Sequence, residues 1–236
     1  MNRPPVKGFG ARSVATILVI PGAILVSMAA LAHGIEGADQ DFLLRNTGPN
    51  IGPYLYLGAK HMVTGYDHLL FLAGVIFFLY RLKEVAIYVT LFAVGHSTTL
   101  LLGVLGGLHV NSYIVDAIIG FSVVYKAFEN LNGFQKLGFQ PNTKLAVLVF
   151  GFFHGFGLAT KLQDISISSD GLVTNMVSFN VGVEIGQFIA LALILIAFNA
   201  WRASGSFLRY ARLSNVALMS AGFMLMGYQL TGYFVA

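Results

Sequence analysis

The 236-residue sequence contains no cysteine and few charged residues. Without cysteine there can be no disulfide, thiolate metal site, iron–sulfur cluster or cysteine nucleophile, so any metal must be bound through nitrogen and oxygen. Only 10% of the residues are charged, whereas 56% are hydrophobic and the mean hydropathy is +0.75. Soluble domains carry about 25% charged residues. The composition therefore predicts a protein that crosses a membrane several times.

The sequence also lacks a phosphate-binding loop, a dinucleotide fingerprint and a Ser-His-Asp arrangement. These absences, and linkers too short to hold a nucleotide-binding domain, argue against ATP-driven pumping by this chain alone. The formal net charge is +4, but the basic residues are dispersed between apolar segments instead of forming a patch. We therefore expect membrane lipid as a partner, and no nucleic acid.

The first 53 residues divide into two parts. Residues 1–32 have the layout of a signal peptide, in which three basic residues precede an apolar run that ends at Ala30-Leu31-Ala32. An uncleaved signal anchor is the alternative, because the run is about as long as a membrane span. Residues 33–53 are polar and rich in glycine and proline, which predicts an extracytoplasmic loop.

Six apolar segments follow, each close to the roughly 20 residues that span a bilayer. We therefore expect an all-α fold in which residues 54–236 form a polytopic membrane helix bundle of six transmembrane helices. The segments are 54–80, 85–105, 112–131, 144–162, 174–199 and 213–235.

The basic residues between these segments predict the orientation of the bundle. With the N-terminal loop outside, the outer segments hold only Arg45, Lys60 and Lys161. Because inner loops are richer in lysine and arginine, we expect a multi-pass protein of the inner (plasma) membrane with both mature termini outside. The inner linkers then hold Arg81, Lys83, Lys136, Arg202, Arg209 and Arg212.

Three ionisable residues, His61, Asp67 and His68, lie within eight residues of each other in the apolar stretch Gly58–Leu72. Such groups are costly inside a membrane and are usually functional. On one continuous helix, His61 and His68 would lie two turns apart on the same face. Two imidazoles and a carboxylate form a metal-ligand set, in which Asp67 either binds the ion or orients a neighbouring imidazole. A hydrogen-bonded group without a metal is the alternative.

Further ionisable residues lie at a similar depth in later segments. His96 and His154 fall near the middle of the second and fourth segments, and Glu184 falls in the outer half of the fifth. Glu129, at the inner end of the third segment, is either structural, an exit ligand or a partner for Lys126. The depths predict convergence between the outer leaflet and the midplane. The candidate metal ligands are therefore His61, Asp67, His68, His96, His154 and Glu184.

The pattern H-x5-D-H from His61 to His68, followed by segments that contain GHS, FHG and FNVGVEIGQ, resembles the HupE/UreJ family of membrane proteins. The resemblance covers nearly the whole chain after the signal. It implies a six-span bundle that acts as a nickel permease or as a metal-supply accessory for hydrogenase and urease. It also implies metal binding by His61, Asp67, His68 and His154. Nickel-transporting members extend the second motif to F-H-G-x-[AV]-H-G-x-E, whereas this chain reads FHGFGLA, so it resembles a branch that lacks the full motif.

The leading hypothesis is a secondary permease for a divalent transition metal, which makes the chain a transporter and not an enzyme. Nickel is the first choice, and zinc, copper, iron and cobalt are the alternatives, because histidine nitrogen and carboxylate oxygen suit all of them. A second hypothesis is a membrane-embedded metalloenzyme that holds zinc or iron with one position open to water. A third is a metal-binding assembly factor. The expected protein partner is another copy of the chain or a metalloenzyme maturation protein.

Overall fold

A computed structural model describes residues 38–165 and 168–236, and all regular structure in these ranges is helical. This confirms the all-α prediction for the described residues. The predicted signal peptide, residues 1–32, lies outside them. The helices are α1 (Ala38–Arg45), α2 (Ile51–Thr64), α3 (Tyr66–Ile76), α4 (Leu82–Gly106), α5 (Ser112–Asn130), α6 (Gly133–Lys136), α7 (Thr143–Asp164), α8 (Leu172–Ala203) and α9 (Phe207–Val235).

Three of these helices, α4, α7 and α8, are long and apolar enough to cross a membrane. Even α7, with 22 residues, is about 33 Å long at 1.5 Å per residue, which matches the roughly 30 Å hydrocarbon core of a bilayer. Helix α8 also exposes large apolar side chains, among them Val181, Ile185 and Phe188. The length and surface of these helices are those of a membrane protein, and the number of six spans stays a prediction.

The helices pack most extensively in three pairs, α4 with α7, α2 with α8, and α5 with α9. Glycines let the backbones of α4 and α7 touch. A Cβ atom at Gly151 would lie 2.6 Å from the carbonyl oxygen of Phe92, and one at Gly95 would lie 2.5 Å from that of Leu148. No side chain fits in such a gap without moving a helix. This contact brings His96 of α4 to the level of His154 on α7.

The H-x5-D-H motif lies on two helices, not on the single helix that the sequence suggested. Helix α2 ends at Thr64 and α3 begins at Tyr66, with Gly65 between them at φ −71° and ψ 101°. A Cβ at Gly65 would lie 3.1 Å from Nδ1 of His68 and 3.2 Å from Oδ1 of Asp67. The expectation of one continuous helix was therefore wrong, because the backbone at Gly65 takes an extended ψ angle, which ends α2 and begins α3.

Part of the predicted extracytoplasmic loop is helical and packed onto the bundle. Leu43 of α1 is fully buried, and Asp39 forms a 2.6 Å ion pair with Lys60 of α2. Farther along, the backbone N–H of Asn50 donates to Oδ1 of Asn175 on α8 at 2.7 Å. These contacts hold residues 38–50 against α2 and α8, so this part of the segment is not a free linker.

The opposite end of the bundle carries Arg81, Lys136, Arg202, Arg209 and Arg212, and is called the basic end below. The guanidinium of Arg202 donates to the carbonyl oxygens at the end of α3, with distances of 3.1 and 2.8 Å to residues 76 and 77. The ends of α3 and α8 therefore meet on this side of the molecule.

Of the three roles that the sequence left open for Glu129, the structure supports the pairing with Lys126. The Nζ of Lys126 lies 2.5 Å from Oε2 of Glu129, and Lys126 is 8% exposed. Glu129 also accepts a short hydrogen bond from the hydroxyl of Thr143 at the start of α7. The pair lies near the basic end, because α5 ends one residue after Glu129.

Candidate metal centre

Four histidine side chains from four helices meet inside the bundle. His61 belongs to α2, His68 to α3, His96 to α4 and His154 to α7. The ring of His68 is central, with its centroid 4.6 Å from that of His154, 5.2 Å from that of His61 and 5.5 Å from that of His96. His68, His96 and His154 are buried, and His61 is partly exposed. These four side chains and Asp67 are called the histidine cluster below.

Asp67 holds the His68 imidazole in one orientation. Its Oδ1 lies 2.9 Å from Nδ1 of His68 and also accepts the backbone N–H of His68 at 2.9 Å. A carboxylate is an acceptor, so Nδ1 of His68 carries the proton and Nε2 keeps its lone pair. That Nε2 is buried and has no hydrogen-bond partner among the described residues. A histidine held by a carboxylate in this way is the usual arrangement of a metal ligand and its supporting residue.

Ser122 of α5 determines the tautomer of His154. The single hydroxyl proton of Ser122 is donated to the carbonyl oxygen of Ile119 at 2.6 Å. The same hydroxyl lies 3.2 Å from Nε2 of His154, toward which it can only accept. Nε2 of His154 therefore carries the proton, and the lone pair is on Nδ1. This Nδ1 is buried without a hydrogen-bond partner in the described part of the chain.

His96 has the least satisfied side chain of the cluster. It is 0% exposed, and neither of its ring nitrogens has a hydrogen-bond partner in residues 38–165 and 168–236. Leaving a buried polar atom unsatisfied costs about 1–3 kcal/mol, so such an atom calls for a specific explanation. Binding of a cation to a ring nitrogen of His96 would offset this cost. The same explanation applies to Nε2 of His68 and to Nδ1 of His154.

The closest ligand atoms of the cluster come from Asp67, His68 and His154. One nitrogen or oxygen from each of these residues lies within 4.8 Å of the other two. Ligands about 2.0–2.1 Å from a tetrahedral ion are about 3.4 Å apart. The three side chains must therefore move closer together if all of them are to hold one ion. The donor set, imidazole nitrogen with carboxylate oxygen, suits nickel, cobalt, zinc, copper or iron.

Phenylalanine rings surround the cluster and make its environment apolar. The centroid of His154 lies 5.1 Å from that of Phe92 and 5.3 Å from that of Phe71. Both phenylalanines are almost fully buried, at 0% and 1% exposure respectively. An apolar wall of this kind limits the access of water to the imidazoles and so strengthens their electrostatic interaction with a cation.

Comparison with known proteins identifies the family of this chain. The sequence profile of the family described as HupE / UreJ protein matches residues 38–236, which include every described helix. The chain belongs to the HupE/UreJ family. This confirms the resemblance found in the sequence. The family is linked to nickel and cobalt handling, and this member contains a candidate metal-binding group formed by Asp67, His68 and His154. Searches of curated proteins and of solved structures gave no match.

The structure places Glu184 of this HupE/UreJ protein apart from the histidine cluster. Glu184 is exposed on α8 and lines a groove of about 350 Å³ together with Ser97, Thr98 and Gln187. Gln187 is 2% exposed, and its Oε1 has no hydrogen-bond partner among the described residues. Of the six residues that the sequence suggested, five are thus in the cluster and Glu184 is in a separate groove between α4 and α8.

Three residues of the HupE/UreJ site were not found from the sequence. They are Ser122, which contacts His154, and the wall residues Phe71 and Phe92. Ser122 shares a helix face with Lys126 and Glu129 at the i, i+4, i+7 spacing, and this polar stripe on α5 was a signal that could have drawn attention to it. The two phenylalanines carry no such signal, because the chain has 20 phenylalanines.

Proposed function

We propose that this chain is a secondary permease for a divalent transition metal, with nickel as the first candidate. The supporting observation is the convergence of buried imidazoles whose lone pairs have no other use. In the described residues, Nε2 of His68, Nδ1 of His154 and both nitrogens of His96 lack hydrogen-bond partners. Three buried side chains from three helices with this property are hard to explain as a purely structural cluster.

In this proposal the bundle has six spans, of which α2 and α3 together form the first and α4, α5, α7, α8 and α9 form the others. The break at Gly65 then lies within a span, beside the metal site. Irregular backbone inside a membrane is tolerated where it lines a buried cavity or a binding site. The positive-inside rule orients the basic end toward the cytoplasm, after removal of the signal peptide at residues 1–32.

His61 is proposed to capture the ion on the outer side, since it is the partly exposed member of the cluster. The preceding residue, Lys60, has its positive charge paired with Asp39 at 2.6 Å, which reduces repulsion of an approaching cation. The ion then passes to His68, His96 and His154. Asp67 acts through His68, because its carboxylate stabilises the imidazole that donates from Nε2 to the metal.

Release toward the cytoplasm is proposed to follow α5. Ser122, Lys126 and Glu129 lie on one face of this helix, between His154 and the basic end. The ammonium of Lys126 repels a divalent cation, and its ion pair with Glu129 must be rearranged before an ion can pass. Glu184 stays a candidate ligand that enters the site when α8 slides against α4, and a Glu184→Gln variant tests this role.

The deciding experiment measures nickel uptake by cells and by proteoliposomes that contain the purified protein. The His68→Ala variant removes the central imidazole, and we expect it to abolish uptake at an unchanged amount of protein in the membrane. The matched control is His109→Ala, because His109 is 59% exposed and lies outside the cluster. Uptake by His68→Ala at the rate of the control variant would refute the proposal.

A resident metal is the second candidate, and the number of imidazoles favours it. Four histidines around one position form a site from which an ion leaves slowly, as a metalloenzyme or an assembly factor requires. Metal analysis of the detergent-purified protein before and after dialysis against a chelator separates the two. Stoichiometric metal that resists the chelator, without uptake in proteoliposomes, supports the resident site. Exchangeable metal with uptake supports the permease. A homo-oligomer or a maturation partner stays a prediction in both cases.

A further inference from the structure

A cavity of about 670 Å³ opens at the basic end of the bundle. Its walls come from the segment after α3, from the end of α5, from α6 and from the beginning of α9. Much of the lining is apolar, with Phe78, Phe128, Leu208, Val216 and Met219 among the contributors. A volume in this range is typical of sites that hold an organic molecule.

Two unpaired cations complete the lining of this cavity. Lys136 of α6 and Arg212 of α9 both contribute to its wall, and both are exposed. In the part of the chain that the structure describes, neither has an acidic partner within the 4.0 Å of an ion pair, whereas Lys60, Lys126 and Lys161 each have one. The cavity therefore combines an apolar wall with an uncompensated positive charge.

We propose that this cavity binds one anionic phospholipid. The phosphate lies between Lys136 and Arg212, and an acyl chain covers Phe128 and Val216. A free anion would make no use of the apolar wall, and a neutral lipid would leave both cations unpaired. Basic pockets between transmembrane helices on the cytoplasmic side are suited to anionic head groups. The transport of a metal does not require this site, but the lipid proposal rests on the proposed orientation, in which the basic end faces the cytoplasm.

The lipid would also touch the helix junction that supports the metal centre. Asn130 lines the cavity and donates at 2.9 Å both to the carbonyl oxygen of Gly74 on α3 and to Oδ1 of Asn215 on α9. Through these bonds, α5 connects the helix of His68 to α9. An occupant of the cavity therefore braces the base of α3.

The only tryptophan of the chain provides a probe for this site. The Trp201 ring lies 4.8 Å from that of Phe207, which in turn lies 6.1 Å from the cavity residue Phe78. Bromine on a lipid chain quenches tryptophan at short range. We therefore propose to reconstitute the full chain in phosphatidylcholine bilayers that contain brominated phosphatidylglycerol, or brominated phosphatidylcholine as the reference lipid. Stronger quenching of Trp201 by the anionic lipid is expected.

The double variant Lys136→Gln/Arg212→Gln tests the role of the two cations. Each basic side chain near an anionic lipid contributes about fivefold in affinity, so we expect the preference for phosphatidylglycerol to fall about 25-fold. The matched control is Lys83→Gln/Arg209→Gln, which removes the same charge from the same end without touching the cavity lining. The control is expected to keep its preference. A third variant, Val216→Phe, fills the apolar part of the cavity without a change of charge and is also expected to weaken the quenching.

Four outcomes would overturn the proposal. Equal quenching of the wild-type protein by the two lipids would show that the site has no preference for anions, and this comparison needs no variant. An equal loss in the control would show a general attraction by the basic end. Full displacement of the lipid by inorganic phosphate would show a site for a free anion. Unchanged quenching in Val216→Phe would place the acyl chain outside the cavity. Far-UV circular dichroism of each variant verifies that it is folded.

Discussion

Replacing Asp67 by asparagine removes the negative charge beside His68 while the shape of the side chain is kept. In the wild-type protein, Oδ1 of Asp67 lies 2.9 Å from both the ring Nδ1 and the backbone nitrogen of His68. The amide oxygen of asparagine can still accept these hydrogen bonds, but it no longer increases the electron density on the imidazole. We therefore expect Asp67→Asn to weaken metal binding without unfolding the site.

The size of this effect follows from the burial of the pair. Loss of a residue that supports a metal-binding histidine costs about 10–100-fold in metal affinity, or about 1.4–2.7 kcal/mol. The side chains of His68 and Asp67 are 3% and 13% exposed, so solvent screens their interaction little. We expect the upper half of that range, a loss of about 30–100-fold in nickel affinity.

Equilibrium dialysis of the detergent-purified protein with radioactive nickel measures this affinity directly. The matched control is Asp164→Asn, which makes the same change at a side chain that is 56% exposed and lies 3.8 Å from the exposed His109. We expect the control to bind nickel as the wild-type protein does. If Asp67→Asn binds within twofold of wild type while His68→Ala does not bind, Asp67 does not act through His68 and the argument from the hydrogen bond is wrong.

Three further predictions concern stability in detergent without added metal. His96→Leu should raise the free energy of unfolding by about 1 kcal/mol, because it removes ring nitrogens that have no hydrogen bond among the described residues. A thermal melt in which the free energy of unfolding falls by 2 kcal/mol or more would contradict this. Gly151→Ala should lower the free energy of unfolding by about 2 kcal/mol, because the new Cβ would lie 2.6 Å from the carbonyl oxygen of Phe92. An unchanged denaturation midpoint would disprove that contact. Lys126→Met should lower the free energy of unfolding by about 1–3 kcal/mol, because the partly buried Glu129 loses its ion-pair partner and keeps the hydrogen bond from Thr143. The double variant Lys126→Met/Glu129→Gln should recover most of this loss in a denaturant titration.

The class of fold and most of the histidine cluster were accessible from the sequence. A chain that is 56% hydrophobic and 10% charged can hide its backbone polar groups in a membrane only by forming helices or a closed barrel, and its long apolar segments favour helices. His61, Asp67 and His68 stand out because ionisable side chains are rare in such segments. Because these residues have a predicted depth similar to that of His96 and His154, the sequence predicted that the two groups meet.

The break in the first segment and the position of Glu184 were not predictable in this way. Helical periodicity assumes that the helix continues, but the backbone at Gly65 turns to ψ 101°, and no local pattern reveals this. The sequence places Glu184 in the same predicted depth range as the histidines, yet depth does not determine the rotation of α8 about its axis. That rotation depends on the packing of α8 against α2, so the structure places Glu184 in a separate groove.

Residue composition and spacing were enough to establish that this protein is helical, that it has the composition of a membrane protein, and that its candidate metal ligands are imidazoles and carboxylates. These properties belong to single residues and to their spacing along one segment. Which ring nitrogens keep a free lone pair became clear only from the packing of the helices. The tautomer of His154 depends on the hydroxyl of Ser122, which is 32 residues away in the chain. That His96 has no hydrogen-bond partner among the described residues depends on every side chain packed around it. Hydrogen bonds of this kind arise from contacts between helices, and such contacts exist only after the bundle has formed.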